Sequence, residues 1–231
     1  MFGTNKIKGK VRSNGQYLRV VKGSPFLTIQ GEGPYIGKPA VFLRLNGCNL
    51  RCWFCDTNFD NPDDPEIDIV HLTQMIMDVR GYARLVVITG GEPLRQNILP
   101  LCKLLKQLRM MVQIETAGTL WINDIEKFAD VVVSPKTPTI NVSAFEHAIA
   151  FKYVIQADCV SDETFLPVMA TQPGALKQML AGPRPGSVVF LSPMDECDDI
   201  KNLNNRRAVA KLAIKYNVMA GIQMHKFLEV D

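Results

Sequence analysis

The chain has 231 residues, of which 47% are hydrophobic, enough to form the core of one domain. Its formal net charge is only +3, which argues against a polybasic surface for nucleic acid or membranes. No apolar run reaches the ~20 residues of a membrane span, and residues 1–10 lack the hydrophobic segment of a signal peptide. We therefore expect one cytoplasmic domain over residues 1–231.

The first segment of the chain has the pattern of a β-hairpin. Ser13-Asn14-Gly15-Gln16 lies between stretches rich in Val, Tyr and Leu, and Asn-Gly is a strong signal for a two-residue hairpin turn. We expect residues 1–22 to form an N-terminal extension that contains this short hairpin.

Short apolar runs of strand type recur along the rest of the chain. Most are continuously apolar, as expected for strands buried on both faces of a parallel sheet. The runs are Ala40 to Leu45, Leu85 to Thr89, Met111 to Glu115, Val131 to Ser134, Ala150 to Val154, Val188 to Ser192 and Val218 to Met224.

Segments of helical periodicity alternate with these strands. Apolar side chains recur at helical spacing over residues 69–79 and 98–108, and a last long helix has its apolar face predicted at Ile200, Leu203, Ala210 and Ile214. The alternation predicts an α/β fold with a partial or modified (β/α) barrel of the TIM type. Residues 161–185 contain four prolines, so we expect only short helices there.

Polar residues collect where the predicted strands end. The positions concerned include Thr89 to Glu92, Glu115, Ser134 to Lys136, Ser192 and His225. In a parallel barrel the C-terminal ends of the strands share one face, and that face carries the active site. The sequence therefore predicts a site at this face.

Cys48, Cys52 and Cys55 form a C-x3-C-x2-C motif. Three thiolates can ligate three irons of a [4Fe-4S] cluster and leave the fourth iron open. A zinc site and a ferredoxin-type cluster would each require a fourth protein ligand, which is not found at a matching spacing. A non-catalytic iron-sulfur or zinc module is retained as an alternative.

The cysteine spacing, with Phe54 before the third cysteine, resembles the radical S-adenosylmethionine (SAM) superfamily. In that superfamily SAM binds the open iron, and reduction of the cluster, by a flavodoxin- or ferredoxin-type protein, releases a 5′-deoxyadenosyl radical. In Gly90-Gly91-Glu92-Pro93 the glycines allow close approach of a ligand, and the carboxylate can accept from the methionine ammonium. The resemblance implies SAM contacts at Phe54, Asp56, Gly90, Gly91, Glu92, Glu115, Ser134, Pro135, Lys136 and Ser192.

The motifs outside the cysteine loop resemble the 7-carboxy-7-deazaguanine synthases. These are Thr28 to Gly33, Arg44, Cys55 to Thr57, Ile114 to Thr116, Val133 to Lys136 and Gln223 to Lys226. The resemblance implies a homodimer that converts 6-carboxy-5,6,7,8-tetrahydropterin to 7-carboxy-7-deazaguanine, with Mg2+ held at Thr57. It implies substrate contacts at Ile29, Gln30, Gly31, Glu32, Arg44, Thr89 and His225.

Two interpretations compete with these assignments. Arg44 lies inside a predicted strand, where a charge requires a partner, and a structural salt bridge to Glu32 is the alternative to a substrate carboxylate. A glycyl-radical activase shares the cysteine spacing and is the rival enzyme.

The acidic tail from Phe227 to Asp231 departs from the usual ending of the family.

Overall fold

The structure, a computed structural model, describes residues 5–11, 13–55, 57–161 and 163–230. Its strands are β1 (Tyr17–Arg19), β2 (Phe26–Ile29), β3 (Pro39–Leu45), β4 (Glu66–Asp68), β5 (Leu85–Gly90), β6 (Met111–Thr116), β7 (Asp130–Val133), β8 (Ala150–Ile155), β9 (Val168–Met169), β10 (Gln178–Met179), β11 (Val188–Pro193) and β12 (Met219–Ala220). Its α-helices are α1 (Ile69–Val79), α2 (Leu99–Gln107), α3 (Val142–His147), α4 (Asp199–Tyr216) and α5 (Met224–Phe227).

A sheet of eight strands forms the centre of the molecule, in the order β12-β11-β8-β7-β6-β5-β3-β2. Strand β2 is antiparallel to β3, and the other neighbours in the sheet pair in parallel. Helices on the connections between parallel strands make this an α/β fold. Six of the seven predicted strands, those from β3 to β11 in this sheet, are confirmed to within one residue at each end.

The sheet curves as a partial barrel whose two edge strands are β2 and β12. Within the described residues no strand pairing joins these edges. Instead, the amide of Met224 donates to the carbonyl of Gly31 at 3.0 Å, so the C-terminal segment crosses the open side. The predicted last strand over residues 218–224 is wrong in its length, because the chain leaves the sheet after Ala220 and forms the one-turn helix α5.

The predicted N-terminal hairpin is wrong in its pairing. Strand β1 pairs with β4, not with the segment before the Asn-Gly turn. That earlier segment is held by the loop after β5, since Val11 donates to the carbonyl of Arg95 at 2.8 Å and the Arg95 guanidinium donates to the carbonyl of Gly9 at 2.9 Å. These contacts satisfy backbone groups that a hairpin would have paired, so the first segment lies against the barrel instead.

Helices α1 and α4 begin at aspartate caps. The carboxylate of Asp68 accepts from the amide of Val70, and that of Asp198 accepts from Ile200 and Lys201. None of the helices in the described part of the chain has the length and hydrophobicity of a transmembrane segment.

The predicted apolar face of the last long helix is wrong. Ile200 is 74% exposed and Ile214 is 85% exposed, whereas Asn205, Val209 and Ala213 are buried. The amide of Asn205 explains the rotation, because it donates to the carbonyl of Met194 and accepts from the amide of Ala157. Buried hydrogen bonds thus decide which face of α4 meets the sheet.

Residues 161–185 also differ from expectation. Their described part contains no helix, and β9 pairs with β10 in an antiparallel two-stranded sheet. Pro167 directly precedes β9, where its fixed backbone angle suits an extended chain. The prolines therefore favour short strands over short helices in this segment.

Ile114 in β6 is fully buried in the main hydrophobic core. We expect Ile114→Ala to lower the free energy of unfolding by about 2 to 5 kcal/mol, because it removes buried methylenes and leaves a cavity. Ile214→Ala on the exposed side of α4 is the matched control and is expected to change it by less than about 0.5 kcal/mol. Urea denaturation measures both, and equal losses would contradict the assigned burial.

Candidate active site

A cavity of about 690 Å³ lies at the C-terminal ends of the parallel strands. The cysteine loop after β3 forms one part of its wall, and the ends of β5, β6, β8 and β11 form others. The predicted site residues that line it are Glu32, Arg44, Cys48, Cys52, Phe54, Cys55, Thr57, Thr89, Gly90, Gly91, Glu115, Ser134, Lys136, Ser192 and His225. Asp56, also predicted as a SAM contact, lies outside the described residues.

The three cysteines of the motif are free thiols and are half-buried at the cavity wall. Burial raises the pKa of Cys48 to about 12 and also raises the pKa of Cys52. Uptake of an iron-sulfur cluster would therefore release protons from these thiols. The donor set fits a [4Fe-4S] cluster, since three sulfurs from one loop face one cavity large enough for the cluster and a further ligand.

The cysteines do not converge on a single point. Among the described residues, no group of three or more His, Cys, Asp or Glu side chains is arranged to hold one metal ion. A cluster does not need such convergence, because each cysteine ligates a different iron.

Gly90 and Gly91 allow the end of β5 to lie directly against the cysteine loop. Gly90 has a φ of 115°, and a Cβ at this position would lie 2.2 Å from the amide nitrogen of Leu45. A Cβ on Gly91 would lie 2.1 Å from the carbonyl oxygen of Gly47, next to Cys48. The two glycines are thus required by backbone contact, in addition to lining the cavity.

Glu92 does not reach the cavity and instead organises the loop behind it. Its residue is 1% exposed, and its carboxylate accepts from the amides of Leu94 and Ala117 and from the hydroxyl of Thr116. Glu92 is not among the residues that line the cavity, and its predicted contact with the SAM ammonium stays a prediction.

A buried ionic cluster lies at the inner end of the cavity. The ammonium of Lys152, in β8, is 2.8 Å from the carboxylate of Glu32 and 3.0 Å from that of Glu115. Glu115 also accepts from the amides of Gln30 and Gln113, at 2.9 and 3.0 Å. Burial alone would raise the pKa of Glu32, but the charge of Lys152 and its hydrogen bond keep it below the ordinary value.

Arg44 does not form the salt bridge with Glu32 that the sequence allowed. Within the described residues it has no carboxylate partner, and its guanidinium lies over the ring of Phe26 at 4.9 Å from the centroid. The other lysines on the cavity wall have partners, Lys136 at Ser134 and Lys226 at Asp195. Among the described residues of this wall, Arg44 is a cation without a carboxylate partner and is available to an anionic ligand.

Lys136 lies near the cluster loop, at the end of β7. Its ammonium donates to the carbonyl of Ser134 at 2.8 Å and to the hydroxyl of Ser134 at 2.5 Å. Burial lowers the pKa of Lys136 to about 8. Pro135 lies between these two residues and does not itself line the cavity.

His225 packs against Gly31 at the open side of the barrel. A Cβ on Gly31 would lie 1.9 Å from the Nδ1 atom of His225, so only glycine admits the ring here. Burial lowers the pKa of His225, although the nearby carboxylate of Glu32 opposes this effect. His225 lies on α5 and not on a strand end, and of the loop Ile29 to Glu32 only Glu32 reaches the cavity wall.

Several polar residues of the site were missed in the sequence. Lys152 and Gln113 lie within apolar strands, and a buried charge or amide there requires a partner, the same signal that identified Arg44. Asn5 and Gln172 donate to Cys55 and Cys52 from distant segments. No local pattern identifies such long-range partners.

Comparison with known proteins defines the class first. The model of the Radical SAM superfamily matches residues 43–156, which include the cysteine loop and strands β5 to β8. The crystal structure of QueE from Escherichia coli has a TM-score of 0.64, with 26% sequence identity over 92% of this chain and 99% of that chain.

Two relatives then identify the family. A 7-carboxy-7-deazaguanine synthase from Rhodospirillum rubrum is 37% identical over 242 residues and covers 100% of both chains. Another from Rickettsia prowazekii is 33% identical and covers 100% of this chain and 96% of its own. The chain belongs to the 7-carboxy-7-deazaguanine synthase family, within the radical SAM enzymes, and the resemblance found in the sequence is confirmed.

The ionic cluster generates a prediction about pH. In the wild type the pKa of Glu32 is lowered, so its contribution to stability is present above its ordinary pKa of 4.5 and is lost as the pH falls below it. In Lys152→Met, burial would raise the pKa of Glu32, so the variant should gain stability as the pH falls from 7 toward about 5. At pH 7 we expect it to lose about 3 to 5 kcal/mol of unfolding free energy.

Urea denaturation between pH 5 and pH 8 measures how the free energy of unfolding of each protein changes with pH. Lys127→Met is the matched control, because it removes a lysine from an exposed pair with Asp124 and should keep the wild-type pH profile. Parallel profiles for wild type and Lys152→Met would contradict the assigned charges.

Proposed function

We propose that this chain converts 6-carboxy-5,6,7,8-tetrahydropterin to 7-carboxy-7-deazaguanine, with loss of ammonia. Support comes from the family and from one observation in particular, that the three cysteines and the available Arg44 line the same cavity. A pterin and SAM are small molecules, and the cavity of about 690 Å³ is in the range of small-molecule sites. This favours the synthase over an activase that acts on a protein backbone.

Cys48, Cys52 and Cys55 would hold the [4Fe-4S] cluster, and Ser134, Lys136 and Gly91 would lie around SAM. When bound, the cluster and SAM supply the 5′-deoxyadenosyl radical that removes hydrogen from C6 of the substrate. The protein's own contribution is to hold the substrate in one orientation and to exclude water around it.

Arg44 would orient the substrate through its carboxylate. The guanidinium is planar and pairs with a carboxylate through two parallel hydrogen bonds, which fixes direction as well as position. The ring of Phe26 under the guanidinium limits its motion. A substrate carboxylate at Arg44 directs the pterin ring toward the interior of the barrel.

The ionic cluster would bind the polar edge of the pterin. Glu32 and Glu115 present carboxylate oxygens at the cavity wall, and the ring of the substrate presents N–H donors. Lys152 holds both carboxylates in place and lowers the pKa of Glu32, so that they act as acceptors. Thr89 and His225 would complete the polar contacts with the substrate. Gln30 would contribute indirectly, because its side-chain amide donates to the carboxylate of Glu115.

We place Mg2+ at Thr57, which lines the cavity two residues after Cys55. One hydroxyl together with substrate oxygens and waters suits an ion that keeps much of its hydration shell. We further infer a cytoplasmic homodimer that receives electrons from a flavodoxin- or ferredoxin-type protein. The homodimer and the electron donor are inferred from the resemblance to the family.

The proposed reaction is tested by anaerobic reconstitution of the protein with iron and sulfide. We expect a [4Fe-4S] absorbance and, with SAM, Mg2+, reductant and 6-carboxytetrahydropterin, the formation of 7-carboxy-7-deazaguanine detected by mass spectrometry. Omission of Mg2+ should lower the rate. Release of 5′-deoxyadenosine without the ring-contracted product would exclude this substrate while leaving the enzyme class intact.

The role of Arg44 is tested by Arg44→Ala in the reconstituted protein. We expect substrate binding to weaken by about 2 to 5 kcal/mol, because the substrate carboxylate loses its charge partner. Anaerobic equilibrium dialysis measures the dissociation constant, and the affinity for SAM should stay unchanged. Arg207→Ala on the exposed side of α4 is the control. Unaltered substrate affinity in Arg44→Ala would remove Arg44 from the site.

A further inference from the structure

Two of the three motif cysteines accept hydrogen bonds from side-chain amides of distant residues. The Nδ2 atom of Asn5 lies 3.5 Å from the Sγ atom of Cys55, and the Nε2 atom of Gln172 lies 3.3 Å from the Sγ atom of Cys52. The sequence separations are 50 and 120 residues. Two separate segments of the chain therefore each bring one amide to one sulfur.

The orientation of each amide is fixed by its other end. The Oδ1 atom of Asn5 accepts from the backbone amide of Phe59 at 2.6 Å, and the Oε1 atom of Gln172 accepts from the backbone amide of Arg51 at 2.6 Å. A backbone N–H can only donate, so it must face the amide oxygen. The NH2 group of each side chain consequently points to the sulfur.

Both amides are held in place by the surrounding backbone. Asn5 is 4% exposed, and its Nδ2 atom also donates to the carbonyl of Thr57 at 2.8 Å. Its segment continues beside the cysteine loop, where the amide of Lys8 donates to the carbonyl of Cys48 at 2.7 Å. On the other side, the amide of Trp53 donates to the carbonyl of Thr171, next to Gln172, at 3.1 Å.

We propose that Asn5 and Gln172 are positioning residues that donate N–H···S hydrogen bonds to cluster ligands and thereby raise the reduction potential of the cluster. Reduction adds one electron, delivered by the external reductant, and so increases the negative charge on the cluster and its sulfur ligands. A donor pointed at a ligand sulfur stabilises the more negative state. This inference rests on the cluster binding proposed above and gives a role to the N-terminal extension.

The test is a potentiometric titration of the reconstituted protein, followed by electron paramagnetic resonance without SAM or substrate. We expect Asn5→Ala and Gln172→Ala each to lower the equilibrium constant for one-electron reduction threefold to tenfold. At 59 mV per tenfold change this is a midpoint about 30 to 60 mV lower. Asn5→Asp should lie lower still, because it removes the donor and adds a negative charge beside Cys55.

Two further variants separate this effect from a general disturbance of the fold. Ile7→Ala is the matched control in the same segment, since its side chain is 64% exposed and its neighbour Lys8 contacts the cysteine loop through backbone atoms. It should keep the wild-type midpoint. The double variant of Asn5 and Gln172 should show the sum of the two single shifts, because the amides contact different sulfurs.

Each outcome decides the proposal. Wild-type midpoints in both alanine variants, with or without a lower melting temperature, would show a purely structural role and overturn it. If one variant does not bind the cluster, the midpoint potential of the other variant tests the hydrogen bond to its own cysteine. Loss of the cluster from both variants would also overturn the proposed effect on the reduction potential. Absence of a cluster in the wild type would instead refute the proposed function.

Discussion

The ammonium of Lys152, held between the carboxylates of Glu32 and Glu115, is the interaction on which the cavity depends. Lys152 and Glu115 come from β8 and β6, whereas Glu32 follows β2 at the opposite edge of the sheet. The ion pairs therefore connect one side of the partial barrel to the other across its interior. Burial of three charges costs free energy, which their mutual attraction and the amides of Gln30 and Gln113 offset. The charged side chains of the ionic cluster are therefore held by one another and cannot turn toward water.

This arrangement divides the cavity into regions of different chemistry. The sulfurs of the cysteine loop lie on one wall, and the ionic cluster lies at the inner end. Arg44, on strand β3, stays available to an anionic ligand because Glu32 is already paired with Lys152. A salt bridge between Arg44 and Glu32 would have removed the cation that a carboxylate ligand needs. In the proposed function, the choice of partner for Glu32 thus decides whether Arg44 can pair with the substrate carboxylate.

Much of this architecture follows from local patterns in the sequence. Strands buried on both faces must be apolar throughout, so six of them were located to within one residue. The Asn14-Gly15 pair marks a bend in the chain, but the pairing of the flanking segments could not be predicted, because Arg95 and β4 bind their backbone groups from far along the chain. The orientation of α4 was missed because the buried amide of Asn205 outweighs the apolar side chains. Local periodicity does not record such long-range hydrogen bonds.

The two amides at the cysteine loop have a consequence for the order of assembly during synthesis. Asn5 and the cysteines leave the ribosome early, and Gln172 follows only after 120 further residues. Until then, Cys52 lacks its amide and the segment that covers it. The surroundings of a cluster at this loop are therefore completed only when most of the barrel has been made, and a nascent chain would hold the same three cysteines in a more open pocket than the finished protein does.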